Sequence, residues 1–216
     1  MDVVISGSAG GIGRAIAEKF LREGHRVFGF DLRESGLTHP GYRHFLHDIR
    51  SDPPPALPEA PAILIGCAGT LEEAEAIGVN LEGSIRFAEA FLGSEALRSV
   101  LFIASASARS GAEFPLYVAS KAGLVGYMKN LALRLAPRGV TCNSISPGGV
   151  VTDANRHILE SETLYAAVLA ETLLGKWAMP EEVAELAYYL TVVNRSITGE
   201  DILMDNGEML KSNFIW

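Results

Sequence analysis

The chain has 216 residues, a length that suits one α/β domain with a substantial buried core. Its hydrophobic fraction is 48% with no long uncharged apolar run, so no membrane span is evident. A formal net charge of −8 argues against nucleic acid as a partner.

The first element begins at residue 2. Asp2-Val3-Val4-Ile5-Ser6 is a β-branched run that reads as a buried strand. The sequence enters this strand with no basic and apolar leader, so no export signal is expected. Glycines follow at positions 7, 10, 11 and 13, and Arg14 to Leu21 then has helical apolar spacing. A glycine-rich turn between a strand and a helix is the setting in which a pyrophosphate is bound. Glycine lets the backbone approach the phosphates, and the helix N-terminus offers N–H groups and a partial positive charge. The spacing Gly7-x3-Gly11-x-Gly13 differs from the strict G-x-G-x-x-G pattern, yet its context favours dinucleotide binding over a plain tight turn. The next strand, Arg26 to Asp31, ends in an acid about 20 residues beyond the glycines, where a carboxylate accepts hydrogen bonds from the adenosine ribose. Asp31 would repel a 2′-phosphate and so favours NAD over NADP, while Arg33 works against that preference.

A third strand leads to His47-Asp48. Three consecutive prolines, Pro53 to Pro55, cannot lie in a helix interior, so the crossover to the strand Ala62 to Cys67 is expected to lack its helix. One sheet face beside the adenine end should then be more open. Leu71 to Ala76 reads as a stub of helix, and a longer helix is expected from Asn80 to about Leu92. The strand near 99–104 ends at Ser105, with Ser107 two positions on. Tyr117 and Lys121 stand four residues apart, a spacing that stacks them on one face of a helix running to about Ala136. An isolated tyrosine titrates near pH ~10, and a cation within a few Å lowers this by roughly 1–3 units. The pair can therefore act as a general acid or base. A strand at 140–145, a helix opened by Pro180 and a last strand at 201–205 complete the alternation. Such alternation predicts a Rossmann-type, doubly wound parallel sheet of about seven strands with helices on both faces, forming one domain over residues 1–216. Cys67 and Cys142 fall in apparent strands and read as reduced, buried thiols, in keeping with a cytoplasmic location. The histidines show no convincing metal spacing, so no metal site is expected.

These pieces resemble, in order, the short-chain dehydrogenase/reductase family, from Asp2 to about Gly207. The family's T-G-x3-G-x-G motif is similar to Ser6-Gly7-x3-Gly11-x-Gly13, with serine replacing threonine. Its adenine-facing aspartate matches Asp48, and its N-N-A-G motif is degenerate here as Gly66-Cys67-Ala68-Gly69. Its helix asparagine matches Asn80, its catalytic serine Ser105 and its Y-x3-K motif Tyr117 and Lys121. Its P-G segment and the threonine beyond match Pro147-Gly148 and Thr152.

The resemblance implies an oxidoreductase that acts on a CH–OH group with NAD or NADP as acceptor, NAD preferred. Tyr117 would be the general acid/base, Ser105 would hold the substrate oxygen, and Lys121 would tune the tyrosine and hold the nicotinamide ribose. Asn80, at a helix irregularity, would hold a relay water. Gly7, Gly11, Ile12, Gly13, Asp31, Asp48, Ala68, Gly69, Tyr117, Lys121, Pro147, Gly148, Val150 and Thr152 would bind the dinucleotide. Ser107 is the rival for the serine role. The segment 152–178 would close over the substrate, although its apolar stripe, including Leu164, Leu169 and Trp177, also reads as core. With Phe114 and Pro115 near the tyrosine, that stripe points to an apolar or cyclic secondary alcohol or ketone. A homodimer or homotetramer is implied, with the tail Phe214-Ile215-Trp216 covered by a partner subunit or capping the pocket. Two alternatives share the fold: a lyase of the dehalogenase type, and a nucleotide-sensing protein without catalysis. The intact glycines count against the first. Lys121 also counts against the first, and the presence of both Tyr117 and Lys121 counts against the second.

Overall fold

Successive residues of a strand face opposite sides of its sheet. In β1 (Asp2–Ser6), Val3 and Ile5 enter one apolar cluster while Val4 enters another, and all three are fully buried. The same holds for β4 (Ile63–Gly66) and β5 (Ser99–Ile103), whose residues are all buried. Strands covered on both faces carry apolar residues on both, which is why residues 3–5, 63–65 and 100–103 are unbroken runs of Val, Ile, Leu and Phe. The computed structural model describes residues 1–51, 53–112 and 114–211, so the tail at 213–216 lies outside the described residues.

With β2 (Arg26–Asp31), β3 (Tyr42–Leu46), β6 (Thr141–Pro147) and β7 (Asp201–Met204), the strands form one seven-stranded sheet in the order β3-β2-β1-β4-β5-β6-β7. Every pairing is parallel. On one face pack α1 (Gly11–Arg22), through Ile16 and Phe20, and α8 (Pro180–Tyr188), through Val183 and Ala187. On the other face lie α3 (Ser84–Glu89), with Phe87, and α5 (Pro115–Leu135), with Leu124, Met128 and Leu131. The strand order reverses between β1 and β4. Ligands of open α/β sheets bind in the crevice beyond the strand ends at such a point.

The connection from β3 to β4 must pass β2 and β1, a traverse of about 14 Å at the usual strand spacing. Among its described residues no helix forms, as the prolines predict. The stretch before Asn80 departs from expectation. Instead of a stub followed by a separate helix, α2 (Glu73–Ala76) runs without a break through π-helical turns (Ile77–Gly83) into α3. Asn80 sits within the π-helical part and is fully buried. A spacing argument built on the 3.6-residue turn does not register an inserted wide turn.

The segment after β6 also differs from the core reading of its stripe. It breaks into a 3₁₀ turn (Asp153–Asn155), α6 (Arg156–Leu159) and α7 (Glu162–Ala170), none of which has a buried residue. Leu164 is 50% exposed, whereas Trp177 is buried. Cys142 lies in β6 as expected; Cys67 lies just beyond the end of β4. Among the described residues no helix is long and apolar enough to cross a membrane.

Candidate active site

The glycine turn is built by close backbone approach. Gly7 has φ +73°, and a Cβ there would lie 2.7 Å from the Ala68 nitrogen across the strand-order reversal. A Cβ on Gly13 would lie 2.0 Å from the Gly7 carbonyl oxygen, so only glycine lets α1 start directly against the turn. Ser6 Oγ accepts hydrogen bonds from the Cys67 and Ala68 amides, at 3.1 and 3.2 Å, and so fastens the end of β1 to that of β4. The start of α1 has no side-chain cap and no acid in its first turn. Its leading N–H groups and its partial positive charge therefore suit a diphosphate.

Asp31 stands beside this turn. One carboxylate oxygen accepts from the Ala9 amide at 3.0 Å and the other from the Arg33 amide at 3.0 Å. The Arg33 guanidinium reaches back towards Gly10. Thr152 lies over Gly11, where its methyl would be 3.6 Å from an added Cβ. The backbone from Gly149 to Val151 is tied to Ala178, with Val151 N–H donating to the Ala178 oxygen at 2.9 Å and Ala178 N–H to the Gly149 oxygen at 3.0 Å. Gly11 and Thr152, with Arg14, Asp153 and Arg156, line a cavity of about 490 Å³. The structure thus brings Gly7, Gly11, Gly13, Asp31, Ala68 and Thr152 to one place. Asp48 follows His47, whose amide donates to the Asp31 carbonyl at 2.9 Å; the Arg50 amide and guanidinium hold the Asp48 carboxylate and lower its pKa, and Arg50 also reaches Glu75 of α2.

The second group of residues meets on the α5 side of Gly69. Lys121 is 5% exposed, and its Nζ donates to the carbonyl of Ile103, the last residue of β5, at 2.9 Å. The ring of Tyr117 lies one turn earlier, its centroid 5.8 Å from that Nζ. A side chain at Gly69 would fall 3.1 Å from Asn80 Oδ1 and 3.3 Å from Lys121 Nζ. Asn80 is held at both ends of its amide. Oδ1 accepts from the Thr70 amide at 2.7 Å, while Nδ2 donates to the Thr70 carbonyl at 3.0 Å and to Ser120 Oγ at 3.1 Å. Burial lowers the pKa of Lys121 to about 8, still above neutrality, so the ammonium form predominates at physiological pH. Desolvation pushes the nearby Cys67 thiol up to about 12, so it stays neutral there.

Ser105 follows β5 by two residues. The amides on either side of it are bonded to β6: Ala104 N–H donates to Ile145 at 2.7 Å and Ala106 N–H to Pro147 at 2.8 Å. Ser107 opens the short helix α4 (Ser107–Ser110), and its hydroxyl donates to Ser105 Oγ at 2.8 Å. Arg109, on the same turn, donates through Nε to Asp201 Oδ2 of β7 at 2.8 Å. The other oxygen of Asp201 accepts from Ser144 and Ser146 of β6, at 2.7 and 2.8 Å. Glu73 of α2 accepts from the Leu116 and Tyr117 amides, at 3.1 Å each for its nearest oxygens, and closes the exposed N-terminus of α5. Sequence reasoning missed Glu73, Arg109 and Asp201. Each acts across a long separation, and neither spacing nor residue type announces the partner.

A family profile described as enoyl-(acyl carrier protein) reductase matches residues 70–208. The short chain dehydrogenase prhI of Penicillium brasilianum is 29% identical over 245 residues, covering 94% of this chain and 95% of that protein. The L-rhamnose 1-dehydrogenase (NADP(+)) of Thermoplasma acidophilum is 27% identical over 244 residues, covering 97% of this chain and 96% of that protein. Both alignments are longer than the 216 residues of this chain, so each relative carries residues that this one lacks. Among solved structures, the ligand-free aldohexose dehydrogenase of Thermoplasma acidophilum superposes with a TM-score of 0.87 at 24% identity, over 100% of this chain and 96% of that one. With the fold and the ordered motifs, these matches identify the chain as a member of the short-chain dehydrogenase/reductase family of oxidoreductases.

Proposed function

We propose that the protein interconverts a secondary alcohol and a ketone with NAD or NADP as the redox partner. The observation that carries this reading is the buried Lys121, bonded to the end of β5 just before Ser105 and stacked one turn from Tyr117. When bound, the dinucleotide supplies or accepts the hydride. In the reducing direction Tyr117 gives its phenolic proton to the carbonyl oxygen; in the oxidising direction it removes the proton from the alcohol. The Lys121 ammonium favours the phenolate left behind. Ser105 donates a hydrogen bond to the same substrate oxygen and stabilises charge that develops there. Asn80, locked by three bonds, keeps its part of the π-helical turn beside Lys121, where a water can relay protons. The diphosphate is assigned to the glycine turn and the start of α1, and the adenosine ribose to Asp31. The Asp31 carboxylate supports NAD over NADP, and it faces a guanidinium two residues on.

An apolar or cyclic substrate is supported by the exposed side chains around Tyr117 and in the lid. Phe114 is 51% and Leu174 69% exposed. The test is formation of reduced nicotinamide from NAD or NADP with a panel of secondary alcohols, from cyclohexanol to aldohexoses. Tyr117→Phe is expected to cut kcat by about 10²–10⁴-fold and leave NAD affinity intact. Lys121→Ala is expected to weaken both. Turnover by Tyr117→Phe equal to that of the parent removes the acid/base assignment, and no turnover of any alcohol with either dinucleotide removes the activity.

A further inference from the structure

We infer that Ser107 sets the direction of the Ser105 hydroxyl, so that Ser105 can act only as a hydrogen-bond donor. The inference rests on the role given to Ser105 above and assigns a positioning residue to the same reaction. A serine hydroxyl has one donor and two acceptor sites. Both acceptor sites of Ser105 are taken by one neighbour: Ser107 O–H donates at 2.8 Å and Ser107 N–H at 3.3 Å. What remains on Ser105 is its proton.

Burial decides which serine donates to the other. Ser107 is 5% exposed, while Ser105 is only partly buried. In the reverse order, with Ser105 donating to Ser107, the Ser107 proton would be left enclosed. Among the described residues no other acceptor is bonded to it. An unsatisfied buried donor costs about 1–3 kcal/mol. Ser105 carries no such penalty, because it is only partly buried and its proton can reach solvent or the substrate oxygen assigned to it above. The order Ser107 to Ser105 to substrate oxygen therefore prevails before substrate arrives.

Two effects on rate follow. A free hydroxyl samples three staggered positions, and fixing one spares roughly a threefold loss of orientation. Donation from Ser107 also polarises the Ser105 O–H, and hydrogen bonds in a chain strengthen one another. The two residues that sequence reasoning set against each other as rivals form one unit, of which only Ser105 meets the substrate.

The order of the protons can be read without any substrate. A neutron crystal structure of the protein exchanged into heavy water is expected to show the Ser107 deuterium between the two oxygens and the Ser105 deuterium pointing away from Ser107. A Ser105 deuterium between the oxygens overturns the inference. Kinetics supply the second arm, with the alcohol panel above. Ser107→Ala is expected to lower kcat about tenfold with KM little changed, and Ser107→Thr to restore most of the rate. Ser105→Ala is expected to lower kcat by about 10²-fold or more, with Ser105→Ala/Ser107→Ala no worse. A Ser107→Ala loss that persists in the Ser105→Ala background marks a merely structural role and overturns the inference, as does a parental rate in Ser107→Ala. If Ser105→Ala keeps the parental rate, or no alcohol turns over, the proposed chemistry fails, while the neutron result still decides the proton order.

Discussion

At the scale of single residues, the site holds an energetically costly group. Lys121 is buried with no carboxylate paired to it among the described residues, and its one hydrogen bond goes to a neutral carbonyl. Its pKa falls from 10.5 to about 8. Between these values the unfolded chain keeps a proton that the folded chain has released, so this group's contribution to stability rises with pH across that window. Below it, the buried charge costs the fold about 3 kcal/mol. Lys121→Met removes that cost and orphans the Ile103 carbonyl, worth about 1 kcal/mol in the other direction. The variant is therefore expected to be more stable than the parent near neutral pH by about 2 kcal/mol, with the gain shrinking towards pH ~10. Urea midpoints at the two pH values measure this. A midpoint below the parent's at neutral pH contradicts the account. A buried lysine that weakens the fold beside Tyr117 is the pattern expected of a group placed for its chemistry.

At the scale of elements, the N-terminus of α5 has to be finished from outside. Its N-cap position is Phe114, which has no side-chain oxygen to offer, and Pro115 supplies only a preset φ. The carboxylate of Glu73 takes over by accepting from Leu116 and Tyr117, and so joins α2 to the helix that carries the tyrosine. Asn80 and Ser120 repeat the join further along. Glu73→Ala is expected to cost about 1 kcal/mol in urea unfolding, the usual value of a lost cap. Glu73→Gln, which keeps an acceptor oxygen but not the charge at the helix end, should recover about half. Parental stability in Glu73→Ala shows that the cap carries no weight.

At the scale of the whole molecule, the crossover between β3 and β4 is the least supported part of the sheet's wrapping. Among its described residues it has no helix, and its prolines cannot donate backbone bonds. Amides between 56 and 60 are therefore expected to exchange with solvent far faster than those of β4 and β5. Protection there equal to that of β4 would show hidden hydrogen bonding. Much of this architecture was legible in the residues. Buried parallel strands announce themselves as β-branched runs, and the limits of β1 and β2 were readable to the residue because Ser6 and Asp31 end apolar stretches. The glycine turn and the Tyr117 helix were legible for the same reason, since each is a local pattern with a local cause. The lid stripe misled because apolar spacing tells which side chains share a face, not whether anything covers that face; α7 is left uncovered. The π-helical turns, the cap from Glu73 and the link from Arg109 to Asp201 were not legible, because each depends on where distant elements come to rest. That last link has a consequence in time. Asp201 leaves the ribosome 92 residues after Arg109, and it belongs to the final strand of the sheet. A nascent chain that has completed β6 can already hold the amides beside Ser105, while the Arg109 end of the same turn gains its partner only when the last strand docks.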